Sequence, residues 1–164
     1  MTCFFDMKKK KKLIVPIFIP HEGCPYRCIF CSQIDITGTR YKADKIHVLE
    51  VLKTYLGPNL NASKTRKCEV AFYGGSFTGL PKERQKKLLS VLRPFLDSGR
   101  IDSIRLSTHP LFIDSDRLDL IKANGVKTIE LGVQSTSEQV LKKSGRPCSK
   151  LGLIKSVHLI KERN

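Results

Sequence analysis

Leu13-Ile14-Val15-Pro16-Ile17-Phe18-Ile19-Pro20-His21-Glu22-Gly23-Cys24-Pro25-Tyr26-Arg27-Cys28-Ile29-Phe30-Cys31 is the stretch that decides how this chain is read. Leu13 to Ile19 is a short, continuous apolar run, the pattern of a strand covered on both faces in a parallel sheet. Pro16 has no amide hydrogen and favours an edge position. Three cysteines follow directly at C-x3-C-x2-C spacing, with no fourth nearby. A complete thiolate cage takes four ligands, so a metal group held here would keep one corner open. Open positions belong to sites that bind and activate something, not to sites that only hold a fold. Taken alone, the motif also suits a zinc site completed by His21 or a cluster completed by Cys68.

Working outward, strands and helices alternate. Asp44 can cap a helix from Lys45 to Leu56 that ends at Gly57-Pro58, and Glu69 to Tyr73 reads as a second strand ending in Gly74-Gly75. Pro81 opens a helix carrying Leu88, Leu89, Leu92, Phe95 and Leu96, with Pro94 expected to kink its last turns. Ile101 to Ser107 is a third strand, a helix begins near Asp114, and Val126 to Val133 is a fourth strand. Ser135-Thr136-Ser137-Glu138 has capping-box spacing for a short helix to Lys143. The last helix places Leu153, Ile154, Val157 and Ile160 on one side. Such βαβ units specify a parallel sheet with right-handed crossovers, here an α/β fold amounting to a partial (β/α) barrel of about four units.

The chain has 164 residues, 40% of them hydrophobic, enough for one domain with a real core. Residues 1–12 read as a basic flexible leader and 13–164 as the incomplete barrel. The formal charge of +15 suits phosphate-rich partners such as RNA, although the lysines are spread along the chain and each group also reads as a solvated face. No signal-peptide pattern or span of membrane length is present, and the cysteine usage fits a reducing compartment, so a cytoplasmic protein without membrane contact is expected.

Ligands of parallel α/β folds collect in the loops after the strands. Cys24, Cys28 and Cys31 follow the first strand, Gly74-Gly75-Ser76 the second, Thr108-His109-Pro110 the third and Gln134-Ser135 the fourth. With Phe30 just before the last cysteine, the motif resembles the signature of radical S-adenosylmethionine (radical SAM) enzymes. The run from Phe18 to Gly38, Phe72 to Gly79, Leu106 to Pro110 and Ile129 to Ser135 resemble the radical SAM domain of Elongator catalytic-subunit-like proteins. The likeness covers roughly residues 13 to 145.

That resemblance implies a [4Fe–4S] cluster on Cys24, Cys28 and Cys31, with SAM chelating the fourth iron and cleaved by an electron from an external donor. It implies that Phe30 approaches the adenine, that Gly74, Gly75 and Ser76 face the methionyl group, and that Gln134 and Ser135 reach cofactor or substrate. An acidic residue usual beside the glycines is Ser76 here. Cys3, Cys68 and Cys148 are assigned no metal role, and Glu130 points toward the barrel interior, where a buried carboxylate needs a partner. RNA, as in tRNA modification, is the candidate substrate class.

The pattern stops after the fourth unit, where Arg146-Pro147-Cys148-Ser149 departs from the Arg-Gly-His-Thr-like run of the family. A truncated member, a fragment or a chain completed by a partner is therefore expected, with the fourth strand as an uncovered edge. The competing reading is a non-catalytic basic module that binds metal or RNA.

Overall fold

The computed structural model describes residues 12–31, 42–57 and 67–163. The expected leader, apart from Lys12, and the Ile34 to Gly38 continuation of the cysteine loop lie outside the described residues. Four strands, β1 (Leu13–Phe18), β2 (Cys68–Tyr73), β3 (Ser103–Thr108) and β4 (Val126–Leu131), form one parallel sheet in the order β1-β2-β3-β4. The helices are α1 (Lys45–Leu56), α2 (Lys82–Asp97), α3 (Ser115–Ala123), α4 (Glu138–Lys143) and α5 (Lys150–Lys161). Single 3-10 turns follow β2 (Phe77–Gly79) and β3 (Pro110–Phe112). Sequential order with parallel pairing is the partial α/β barrel the alternation implies.

Local chemistry explains the boundaries. The Asp44 side chain accepts from His47 N at 2.8 Å to cap α1, and Asp114 accepts from Arg117 N at 2.8 Å to cap α3. Pro16 sits on an edge strand, and α2 runs through Pro94 to Asp97. Two expectations are corrected. The cap of α4 is Ser137, not Ser135, because the Ser135 hydroxyl accepts from Ser137 N in a local turn while the Glu138 carboxylate accepts from Lys150 N at the start of α5. In α5 the buried side chains are Leu153 and Ser156; the Ser156 hydroxyl donates to Pro110 O at 2.9 Å, and this docking turns Ile154 and Val157 outward.

The core lies on one side of the sheet. Val15, Ile17, Val70, Phe72, Ile104 and Leu106 meet Val48 and Leu52 of α1, Leu88, Leu89 and Leu92 of α2, and Leu118 and Ile121 of α3. The expectation of a first strand covered on both faces is therefore corrected, since Ile14 and Phe18 are 39% and 44% exposed on the opposite face.

That opposite face carries a ladder of charge. The Glu69 carboxylate receives Lys12 Nζ at 2.7 Å, Ser103 Oγ at 2.8 Å and Arg105 Nε at 2.8 Å, and Arg105 Nη1 reaches Glu130 Oε1 at 2.6 Å. Ser107 and Tyr73 hydroxyls donate to the same Glu130 carboxylate. Burial alone would push the Glu69 pKa up, but hydrogen bonds from Lys12, Ser103 and Arg105 outweigh it and hold the carboxyl below its ordinary value. Glu130 does face the interior and does have a partner, yet its side chain is 39% exposed; the fully buried carboxylate is Glu69, at 1%.

Glu69→Ala should therefore destabilise the fold by about 3 kcal/mol by stranding buried donors, whereas Glu130→Ala should remove no more than about 1 kcal/mol. Urea unfolding of both variants checks this, and equal losses would contradict the burial difference.

Candidate cofactor site

The cysteine loop is fixed by backbone meshing with the loop after β2. Ser76 N donates to Glu22 O at 2.9 Å, Ile19 N to Tyr73 O at 2.8 Å and His21 N to Gly74 O at 3.2 Å. A Cβ on Gly75 would lie 2.7 Å from Ile19 O and closer still to Glu22 O; one on Gly79 would collide with Gly23 O. Side chains are excluded at Gly75 and Gly79 because the cysteine loop itself occupies that space. Arg84 of α2 adds a clamp: its Nε and Nη2 reach the two Glu22 oxygens at 3.1 and 3.0 Å, and Nη2 also donates to Ala43 O. One guanidinium thus holds residues on both sides of the stretch 32–41. The sequence reading placed Arg84 on a solvated lysine-rich face, and the fold instead turns it inward.

Beyond this mesh, a cavity of about 370 Å³ opens at the C-terminal ends of the strands. Cys24, Cys28 and Cys31 line it together with Phe30, Gly75, Ser76 and Gln134. Gly74 and Ser135 are not part of the lining; Gly74 instead packs beside Phe18. Ser76 is buried and committed within the protein, its hydroxyl 3.0 Å from Thr108 Oγ1 and accepting from His109 N at 3.0 Å. Gln134 has a left-handed backbone, φ 67°, an unfavourable state for a residue with a side chain, at the point where the chain turns from β4 over the cavity. Ser107 and Glu130 bring the polar sheet face to the same mouth.

Two cavity residues stand out by their unmet hydrogen bonds. His109 is 4% exposed; its Nδ1 accepts from Leu111 N at 3.2 Å, which leaves the proton on Nε2, and Nε2 has no partner among the described residues. Burial, reinforced by the positive charge of Arg146, pushes the His109 pKa down to about 4, so the ring is neutral at neutral pH. Tyr26 packs against it, ring centroids 5.0 Å apart. Arg146 is 8% exposed; Nη1 lies 3.8 Å from Cys28 Sγ, Nη2 donates to Gly132 O, and Nε has no partner among the described residues. Neither Tyr26 nor Arg146 was singled out from the sequence. The only signal for Arg146 was the Arg-Pro-Cys-Ser segment, which reads as a break after α4, whereas the partner it finds is remote in sequence.

The donor set fits an iron–sulfur cluster. Three thiols, soft ligands, line one cavity with hydrogen-bond donors around them. Among the described residues no three His, Cys, Asp or Glu side chains converge on a single metal ion. His21 does not line the cavity. Cys68 begins β2, about 17 Å of strand away from the cavity end. Neither His21 nor Cys68 therefore stands with the three thiols in the cavity lining. Cys148 lines a separate hollow beside Arg146, its thiol pKa pushed up by burial.

A parallel half-barrel with a three-cysteine loop at the carboxyl ends of its strands is a scaffold that presents a ligand site at that end of the sheet. The chain belongs to the radical SAM superfamily, whose model matches residues 18–164. It is 24% identical over 151 residues to the heme chaperone HemW of Buchnera aphidicola, covering 92% of this chain and 40% of that protein. It is 29% identical over 136 residues to the ribosomal protein uS12 methylthiotransferase RimO of Acetivibrio thermocellus, covering 80% and 29%. Among solved structures, archaeal Elp3 of Methanocaldococcus infernus superposes with a TM-score of 0.57 at 17% identity, over 88% of this chain and 34% of that one. The chain thus spans less than half the length of these relatives. The family normally uses a [4Fe–4S] cluster and SAM. Among the described residues no helix is long and apolar enough to cross a membrane.

The depressed His109 pKa has a sign that can be tested. Between the ordinary histidine value and about 4 the unfolded chain binds a proton that the folded chain does not, so folding stability falls as pH drops through that window. His109→Gln should flatten this part of the pH profile in urea titrations. An unchanged profile would mean that the ring is not held neutral by burial.

Proposed function

We propose that the chain is the cofactor-binding part of a radical SAM enzyme, holding a [4Fe–4S] cluster through Cys24, Cys28 and Cys31. The observation that carries this reading is that three thiols line one cavity together with an arginine Nε and a histidine Nε2 that have no hydrogen-bond partner among the described residues. Cluster and SAM, bound here and given an electron by an external donor, would supply 5′-deoxyadenosyl-radical chemistry for hydrogen abstraction.

This chain's residues would do the rest. Arg146, a buried cation with a free donor, suits the methionyl carboxylate. Neutral His109 offers a fixed N–H to an acceptor in the cavity without adding charge beside that arginine. Phe30 and Gln134 would flank the nucleoside end, with the Glu130 carboxylate and the Ser107 hydroxyl oxygen available as acceptors toward hydroxyl groups. Gly74, Gly75 and Ser76 would contribute by locking the loop that carries the three thiols against its neighbour and so helping to keep water from the cavity. Ser135, outside the cavity lining, would act on substrate rather than cofactor.

The relatives named above act on different molecules, and the charge of +15 favours RNA as substrate here. A partner chain completing the free edge of β4, and a cytoplasmic setting, belong to the same proposal. The same charge supports a second reading, a non-catalytic RNA-binding module. Salt-sensitive RNA binding that survives loss of all three cysteines, without any cluster chemistry, would favour it.

Anaerobic reconstitution with iron and sulfide, followed by electron paramagnetic resonance, tests the enzyme reading. The reduced protein should give a cluster signal that SAM perturbs, with 5′-deoxyadenosine released only when reductant is present. Replacing any of Cys24, Cys28 and Cys31 by Ala should abolish both. A cluster signal indifferent to SAM would sink the proposal.

A further inference from the structure

The barrel-interior face of the sheet ends in a row of side chains that the cofactor cavity only half absorbs. Phe18 of β1 is the register partner of Tyr73 of β2, and Ser107 of β3 is that of Glu130 of β4. The pairing of Phe72 with Leu106 sets Tyr73 level with Ser107. Two aromatic and two polar side chains therefore share one level at the carboxyl ends of the strands. The Phe18 and Tyr73 ring centroids are 6.4 Å apart with the planes tilted by 51°, and Phe18 is 44% exposed. The Tyr73 hydroxyl ties the aromatic half to the polar half by reaching Glu130 Oε1 at 3.4 Å. Ser107 and Glu130 line the cofactor cavity, whereas Phe18 and Tyr73 do not, so the rings lie beside that cavity and outside it.

We propose that Phe18 and Tyr73 form a stacking seat for an unpaired nucleobase of single-stranded RNA, set next to the cofactor cavity. The inference rests on the RNA reading above and deepens it by naming where a base is held. An exposed aromatic face at the end of a sheet offers a base a π surface, and single-stranded nucleic acid is held in this way without regard to sequence. The surroundings favour a base over a protein segment. An apolar segment laid across this row would strip water from the partly exposed Arg105–Glu130 ion pair and return nothing for it. A base brings an apolar face to the rings and hydrogen-bonding edges to the polar half of the row. The charge of +15 draws the phosphates that a base carries with it. Because Glu130 belongs to both the row and the cavity lining, a base stacked here adjoins the space assigned to the cofactor.

The test uses the full chain and a fluorescently labelled, unstructured RNA oligomer, followed by anisotropy across a salt series. The parent should bind, and Phe18→Leu combined with Tyr73→Leu should weaken binding by about tenfold or more, the loss expected for one or two stacked bases. The salt dependence should stay that of the parent, because the phosphate contacts are untouched. Phe18→Tyr, which keeps the ring, should bind as the parent does. A double variant that unfolds in urea like the parent and still binds RNA equally well would overturn the proposal. Should the double variant not fold, the parent decides alone. Irradiated in complex with an oligomer carrying 5-iodouridine, it should crosslink at Phe18 or Tyr73, and crosslinks confined to other residues would overturn the seat. A parent that binds no RNA overturns the RNA reading together with the seat, whereas RNA binding indifferent to the two rings removes the seat and leaves that reading standing.

Discussion

The constraint on which the site depends is backbone against backbone: the cysteine loop is pressed into the loop after β2 so closely that no side chain fits at Gly75 or Gly79. Hydrogen bonds from Ser76 N and the doubly bonded Arg84–Glu22 pair hold the two loops in register. Three thiols on one short loop would otherwise sample many arrangements, and ordering each residue opposes folding by roughly 1–2 kcal/mol. Meshing with a rigid neighbour places that entropy loss in the folding of the sheet, so the thiols face the cavity before any metal arrives.

The sheet adds a second asymmetry. Its apolar face is closed by α1, α2 and α3, while the other face carries Glu69, Arg105 and Glu130 linked in one chain of ion pairs. Arg105 is shared between two carboxylates, which raises its own pKa and lowers theirs, Glu130's mainly through that bond. The ladder runs toward the cavity mouth, where Glu130 remains partly exposed. It therefore combines a buried structural end at Glu69 with an accessible end that can meet a polar ligand.

Much of this was legible in the sequence, for identifiable reasons. Strand and helix alternation follows from apolar periodicity and from signals such as Asp44, which caps its helix as expected, and Asp114, near which a helix is expected to begin and which turns out to cap it. The cysteine spacing is local, and so it announced the site. What stayed hidden depends on contacts distant in sequence. Arg84 reads as one more surface cation on a lysine-rich helix until the fold brings Glu22 to it. Arg146 meets Cys28 only because the turn after α4 packs against the cysteine loop, and Glu69 passes for an ordinary strand residue until Lys12, Ser103 and Arg105 surround it. The capping box failed for a related reason: Glu138 was taken by the start of α5, a competitor that a local motif cannot include.

If Cys24, Cys28 and Cys31 hold three corners of one cluster, the fourth is left open to SAM. Mössbauer spectroscopy of the iron-57-reconstituted chain, recorded with and without SAM, tests it most directly. About one quarter of the iron signal, the share of a single unligated corner in a four-iron cluster, should shift when SAM is added while the remainder stays unchanged. A spectrum unaltered by SAM, or a chain that takes up zinc in preference to any cluster, would contradict the account.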